Sequence, residues 1–438
     1  MTGVNQPWSG RKLHFVGIGG AGMSGLALVA RSLGAEVTGS DRAPDSPYLA
    51  PLRALGVTPS EGHDAAHVPA GAEVVVSSAI PPENPERQVA ERELHRADLL
   101  GELTRIKPTI AVSGTHGKTT TSSMIVHAMR GCGLDPSYLV GGEVRSTGAN
   151  AGWGTGEWLV VEADESDRSL LKLSPRIAVV TNAEMDHHTT YSSSRDVAET
   201  FRAFLALGET AVVWERPELL ALAPEGAVTF DVPAPELSST GSRFAIDGVE
   251  VSLAVPGAHN ARNAAAALTA ARLAGADLAR AAAALRDFGG AGRRFERLGM
   301  TAAGALVVDD YAHHPTEVRA TIDAARTLGP RRLLAVFQPH LFSRTRHQAR
   351  EFGAALAHAD AVVVLDIYPA RERAEDFPGV TGRLVAAAAA DHAGGKPVAW
   401  LPGFDEAEAF LRARLREGDI LLTLGAGNVD ALGRRLLT

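Results

Sequence analysis

Short apolar runs separated by helix-length stretches recur along the whole chain, the alternation expected of parallel sheets covered by helices on both faces. In the first hundred residues the runs fall at 13–16 and 73–76, with a helix over 23–33 and a further strand leading to Asp41. A second series starts at 109–113 and continues through 158–161 and 177–181. A third occupies 305–309, 332–337, 361–365, 398–401 and 420–424. Lys107-Pro108 interrupts the pattern once, because proline disfavours regular structure before and at its own position, and Phe288-Gly289-Gly290-Ala291-Gly292 interrupts it again as a hinge-like glycine run. The pattern predicts an α/β protein of three domains, over 1–107, 108–292 and 293–438.

Ligands of parallel sheets gather at the carboxyl ends of strands, so the chemistry is sought there. The strand at 109–113 runs into Gly114-Thr115-His116-Gly117-Lys118-Thr119-Thr120-Thr121. A glycine turn opening a helix aims several backbone N–H groups and the positive end of the helix dipole at one point. Lys118 adds a full charge, and a hydroxyl from Thr119 or Thr120 can hold a magnesium ion that bridges two phosphates. Val112 stands where the first glycine of the common phosphate-loop pattern belongs, so this is a shortened variant, and only five lysines occur in the chain. The central domain is therefore P-loop ATPase-like.

The strand at 13–16 ends in Gly17-Ile18-Gly19-Gly20-Ala21-Gly22, which satisfies the Gly-x-Gly-x-x-Gly fingerprint, with Asp41 near the expected distance. This predicts a Rossmann-like N-terminal domain; the pattern specifies a diphosphate at a helix N-terminus and suits any nucleotide diphosphate, a nicotinamide cofactor included. Ser77-Ser78-Ala79-Ile80-Pro81-Pro82 forms a polar rim or a plain turn after the strand at 73–76. In the central domain two strand ends are acidic, Glu162-Ala163-Asp164-Glu165-Ser166-Asp167 and Asn182-Ala183-Glu184-Met185-Asp186-His187-His188, as the outer shell of a metal-phosphate site requires. His259-Asn260-Ala261-Arg262-Asn263 opens an alanine-rich helix with both amides on one face, placed to cap the helix or to read a base edge. The third, Rossmann-like C-terminal domain carries Asp309-Asp310-Tyr311-Ala312-His313-His314-Pro315, Gln338-Pro339-His340-Leu341-Phe342-Ser343-Arg344 and Gly425-Ala426-Gly427-Asn428 at its strand ends. The paired histidines lack further ligands at metal spacing, which argues against structural zinc.

Composition narrows the partners. A length of 438 residues exceeds what one core supports. With 43 basic and 51 acidic residues the net charge is −8, which argues against nucleic acid and leaves anionic ligands to local groups. One cysteine, Cys132, precludes an internal disulfide and suits a reducing cytoplasm; the first eleven residues are polar and no apolar run reaches the ~18 residues of a membrane span. The expectation is a cytoplasmic protein without membrane insertion; its oligomeric state is not encoded in these patterns.

Taken in order, the phosphate loop at 114–121, the acidic loop at 162–167, Asp186-His187, His259-Asn260 with Asn263, Arg293-Arg294-Phe295, Asp310 to Pro315 and Gln338-Pro339-His340 resemble the Mur ligase family over about residues 13–430. The resemblance implies an ADP-forming ligase of peptidoglycan precursor synthesis, acting on UDP-N-acetylmuramate, L-alanine and ATP with Mg²⁺ through an acyl phosphate. It implies catalytic roles for Lys118, His187, His313 and Arg344. It implies ATP binding by Gly114, Thr115, His116, Gly117, Lys118, Thr119, Thr120, His259, Asn260, Asn263, Arg294 and Asp310, and metal binding by Thr119, Glu162 and His187. The UDP-linked substrate would meet Gly19, Gly20, Ala21, Gly22, Asp41 and Ser78. Leu341 and Asn428 depart from the arginine and aspartate seen in some members, and the absence of lysine between Lys172 and Lys396 removes the carbamylated-lysine device that others use. A family branch that attaches a preformed tripeptide usually reads Glu-Gly-Asp-Glu-Tyr-Asp at the acidic loop, and Glu162 to Asp167 here favours alanine. An oxidoreductase would leave Lys118, Glu162 and His187 without a task, and a non-catalytic nucleotide sensor would show no ATP turnover.

Overall fold

The computed structural model describes residues 6–43, 45–187 and 190–437; the first five residues and His188 of the motifs above lie outside the described residues. The chain condenses into two compact units, one of Met1–Ala183, Arg195–Asp231 and Ala266–Ala284, the other of Glu184–Ser194, Val232–Ala265 and Leu285–Thr438.

The first unit holds two sheets. The N-terminal one is five-stranded and parallel, in the spatial order Ser60–Glu61, Glu36–Asp41, Lys12–Val16, Glu73–Val76, Arg92–His95. Lys12–Val16 lies in the middle, with Leu13, Phe15 and Val16 fully or nearly fully buried, which is why it reads as an almost continuous apolar run. The strand order reverses beside it, a switch point that opens a crevice at the carboxyl ends where the first glycine turn sits. The other sheet has seven strands, in the order Val228–Phe230, Thr210–Trp214, Ile177–Val180, Thr109–Ser113, Leu159–Glu162, Ser137–Val144, Ala149–Gly152, all parallel except the last pair. Thr109–Ser113 is buried at every position and central, so its carboxyl end delivers the phosphate loop to the middle of the sheet edge.

The second unit is built on a six-stranded sheet ordered Glu296–Met300, Leu306–Asp310, Ile420–Leu424, Leu333–Phe337, Ala361–Val364, Val398–Trp400, parallel but for its first pair. Helices cover both faces. One layer packs Phe337, Phe352, Ile322 and Leu356, the other Val336, Leu411, Leu421 and Leu432. A small antiparallel sheet, Glu236–Ser238, Gly241–Ile246 and Val249–Leu253, belongs to the same unit. Its alternating burial and the Asp247-Gly248 turn mark a hairpin, whose short strands lack the continuous apolar runs of the parallel sheets. Among the described residues no helix is long and apolar enough to cross a membrane.

Candidate active site

In the first unit the phosphate loop is closed and rigidly tethered. Gly114 has φ +132°, and a Cβ there would stand 2.2 Å from Thr181 Oγ1, so the position admits only glycine. Thr181 Oγ1 donates to the His116 carbonyl at 2.6 Å, Asn182 Nδ2 donates to the same carbonyl at 2.9 Å, and Asn182 Oδ1 accepts from His116 N at 2.9 Å. The neighbouring strand's end thus straps the loop. Gly117, in the left-handed region at φ +81°, turns the chain into the helix Lys118–Gly131, whose first N–H groups face the loop mouth.

Lys118 Nζ donates to Gly114 O at 2.8 Å and pairs with Glu165 at 2.8 Å. Burial alone would lower the ammonium's pKa; the carboxylates of Glu165, Asp164 and Glu162 outweigh it and hold the lysine above its ordinary value. Glu165 is 2% exposed and Thr115 and His116 are buried, so the loop is not a solvated surface feature. Thr119 Oγ1 donates to Glu162 Oε2 at 2.9 Å, and Gly141 N donates to the same oxygen at 2.8 Å. A hydroxyl and a carboxylate brought together are hard oxygen donors, the set that suits Mg²⁺. Asp164, on the same acidic loop, is drawn down to about 2; burial opposes the shift, and Arg96 and Lys118 overcome it. Arg96 Nη2 reaches Asp164 and Asp167 at 3.1 Å each.

The N-terminal glycine turn is equally anchored. Gly19 N donates to Asp41 Oδ2 at 2.7 Å, Ala43 N donates to Asp41 Oδ1 at 2.8 Å, and Ser46 Oγ donates to Gly19 O at 2.6 Å. Gly20 caps the helix Ala21–Ser32, which places Ala21 and Gly22 in its first turn, and Ser78 is exposed in the turn after Glu73–Val76. Asp41 therefore shapes the turn as well as lying beside it.

The second unit collects another group. Arg344 Nε and Nη2 donate to Asp186 Oδ1 and Oδ2 at 3.0 Å each, a two-pronged pair between residues that are both 4% exposed. Burial would raise the Asp186 carboxyl; the Arg344 guanidinium paired with it drives it far below the usual range. His187 N donates to Asp186 Oδ1 at 2.7 Å, and His340 Nδ1 lies 3.2 Å from Arg344 Nη1. Three of the four residues expected to be catalytic, His187, His313 and Arg344, thus gather around one carboxylate. His313 is ring-to-edge with Tyr311 at 5.3 Å and with His340 at 6.0 Å, and His340 stacks on Tyr368 at 5.9 Å. Burial depresses His313 well below 6.5 and His340 to about 3, so both imidazoles are neutral near pH 7.

Beside them, Asp310 accepts from Phe295 N and Ala312 N at 2.8 Å each, and burial raises it to about 6. Arg294 lies 3.6 Å from Glu317 and 5.0 Å from the Tyr311 ring. His259, held neutral by burial at about 4, opens the helix Ala258–Leu273; Asn260 Nδ2 donates to Pro256 O at 2.8 Å and Asn263 Nδ2 to Asn260 Oδ1 at 3.4 Å. Leu341 is buried with φ +70°, and Asn428 accepts from Gln338 Nε2 at 3.0 Å.

The sequence pattern gives no individual role to Arg96, Thr181, Glu317 or Tyr368, and it places Asn182 and Asp186 only within an acidic strand end. Asp186 carried a signal, a carboxylate at a strand end next to histidine. The others sit in segments whose local pattern is ordinary and act only through partners far away in sequence.

A lysine-bearing phosphate loop with a carboxylate on its hydroxyl, on an α/β scaffold with a second nucleotide-type glycine turn, defines an ATP-dependent enzyme class, and the sequence agrees. The Mur ligase family catalytic domain matches residues 12–107, the Mur ligase middle domain 112–271 and the Mur ligase glutamate ligase domain 293–427. The chain belongs to the Mur ligase family, which sets the oxidoreductase alternative aside. It is 44% identical to the UDP-N-acetylmuramate–L-alanine ligase of Rubrobacter xylanophilus over 97% of this chain and 99% of that one. Among solved structures it resembles the UDP-N-acetylmuramate–alanine ligase of Thermotoga maritima, with TM-score 0.82 and 29% identity over 97% of this chain and 98% of that one. A murein peptide ligase from Psychrobacter arcticus follows with TM-score 0.71 and 25% identity, covering 98% of each chain.

Proposed function

We infer that this chain is an ATP-dependent ligase that joins L-alanine to UDP-N-acetylmuramate in peptidoglycan precursor synthesis. The observation that carries it is the phosphate loop with Lys118 and its acidic surround, in a chain 44% identical over nearly its full length to an L-alanine-adding member of the family. The sugar's lactyl carboxylate takes the γ-phosphoryl group of ATP, giving ADP and an acyl phosphate. The L-alanine amine attacks the acyl carbon, the tetrahedral adduct expels phosphate, and an amide remains.

A carboxylate and a triphosphate repel one another, so the demand on the protein is positioning and charge compensation. Lys118 and the loop N–H groups, with the side chains of Thr115, His116 and Thr120 around them, supply it at the phosphates. Thr119 and Glu162 would hold Mg²⁺, with His187 assigned to a second ion; bound magnesium neutralises phosphate charge and orients the transferred group. His259, Asn260 and Asn263 are assigned to adenine, and Arg294 and Asp310 to the ribose and phosphates. His313 and Arg344 are assigned to the acyl phosphate and the incoming amine. Gly19, Gly20, Ala21, Gly22, Asp41 and Ser78 are assigned to the UDP portion. The domain limits 1–107, 108–292 and 293–438 follow the same assignment. Incubating the enzyme with ATP, UDP-N-acetylmuramate and either L-alanine or the preformed tripeptide, with product mass as readout, tests the acceptor. The alanyl product is expected; tripeptide product without alanyl product would overturn the assignment.

A further inference from the structure

Behind the N-terminal glycine turn lies a fully buried carboxylate that the reaction scheme does not use. Glu86, 0% exposed, is held in the short helix Pro85–Gln88, which Asn84 caps by accepting from Glu86 N at 2.9 Å. Ser40 Oγ donates to its Oε2 at 2.6 Å, and His63 Nδ1 lies 3.1 Å from the same oxygen and 3.0 Å from Ser40 Oγ. His67 Nδ1 lies 3.2 Å from Oε1, and His14 Nε2 faces that oxygen at 3.7 Å while its Nδ1 meets Thr38 Oγ1 at 2.8 Å. An isolated buried carboxylate is costly, and this one is sustained by Ser40, His63 and His67, all within hydrogen-bond distance of its oxygens.

The connection to the site runs through Ser40. Its hydroxyl binds Glu86, and its carbonyl accepts both Gly17 N at 2.8 Å and Ile18 N at 3.0 Å, the first two amides of the glycine turn. The next residue, Asp41, takes the amide of Gly19. The backbone path of the turn is thereby fixed by residues 40 and 41, and residue 40 is fixed by Glu86.

We propose that Glu86, seated by His63 and His67, is a positioning residue for the UDP-sugar substrate, acting through Ser40 to hold the Gly17–Gly19 amides in their binding arrangement. This rests on the assignment of that turn to the UDP portion. The effect belongs to one substrate, since the phosphate loop at Lys118 shares none of these hydrogen bonds.

The test uses the full-length enzyme and two variants. Glu86→Gln keeps the shape and removes the charge, and Ser40→Ala removes only the connecting hydroxyl. Both are expected to raise KM for UDP-N-acetylmuramate about tenfold, the scale of one hydrogen bond to a charged group, with kcat and the KM values for ATP and L-alanine within twofold of wild type. The double variant should be no worse than either single one, because the two residues form one chain of contacts. Calorimetric binding of UDP-N-acetylmuramate should weaken in parallel. A Ser40→Ala enzyme with unchanged KM for the UDP-sugar, or with equal rises for all three substrates, would overturn the inference even if Glu86→Gln failed to fold. Wild type that binds the UDP-sugar while the variants match it removes this inference alone; wild type that does not bind it removes the assignment of the turn as well.

Discussion

Charge matters most at Lys118, and its neighbours set two separate expectations. As a preorganised cation at a migrating phosphoryl group, its removal in Lys118→Ala should cut kcat by ~10²-fold or more. Because the ammonium is also buried against Glu165, the same change removes the cation paired with that carboxylate, so the variant should lose about 3 kcal/mol of stability, read by denaturant unfolding. Turnover near wild type would contradict the first expectation, unaltered unfolding the second. Asp310 offers a pH reading. Burial lifts it to about 6, so it is neutral below that pH and ionised above it. As an acceptor for a ribose hydroxyl it should make KM for ATP fall as pH rises through about 6, and Asp310→Asn should erase that inflection. Its linkage to folding has the opposite sense: with the folded value above the unfolded ~3.9, its contribution is greatest below pH ~4 and is lost as pH rises through about 6. The gathering of Lys118, Thr119 and Glu162 at neighbouring strand ends was legible as residue types in a spacing. The clamp of Arg344 on Asp186 was not, because 158 residues separate the two and no local pattern links them.

At the scale of elements, several strands buried on both faces were readable to within a residue or so, Glu73–Val76 and Ile420–Leu424 among them, since continuous apolar runs leave little else for the chain to do, whereas the buried strand Thr210–Trp214 was missed. Arg92–His95 and Glu296–Met300 escaped notice because edge strands are half-exposed and carry charged residues. The turn at Gly114 shows how an element boundary becomes a functional constraint. Gly114→Ala places a methyl group against Thr181 and Asn182 in a backbone region alanine avoids, so stability should fall by roughly 2 kcal/mol or more and ATP binding should weaken with it. Thermal unfolding and nucleotide titration of this variant check both; wild-type values in each would show that the strap does not set the loop.

For the molecule as a whole, three α/β sheets were legible from the alternation of runs and helices, whereas the small antiparallel sheet at Glu236–Leu253 was hidden by short, mostly exposed strands. The central claim is a single coupled reaction rather than independent nucleotide hydrolysis. Its most direct test is ADP release measured with ATP and magnesium under four conditions: no further substrate, UDP-N-acetylmuramate alone, L-alanine alone, and both. Sustained ADP formation is expected only with both, since the acyl phosphate persists or reverts until an amine arrives. Equal ADP formation in all four conditions, or turnover driven by L-alanine without the UDP-sugar, would contradict it.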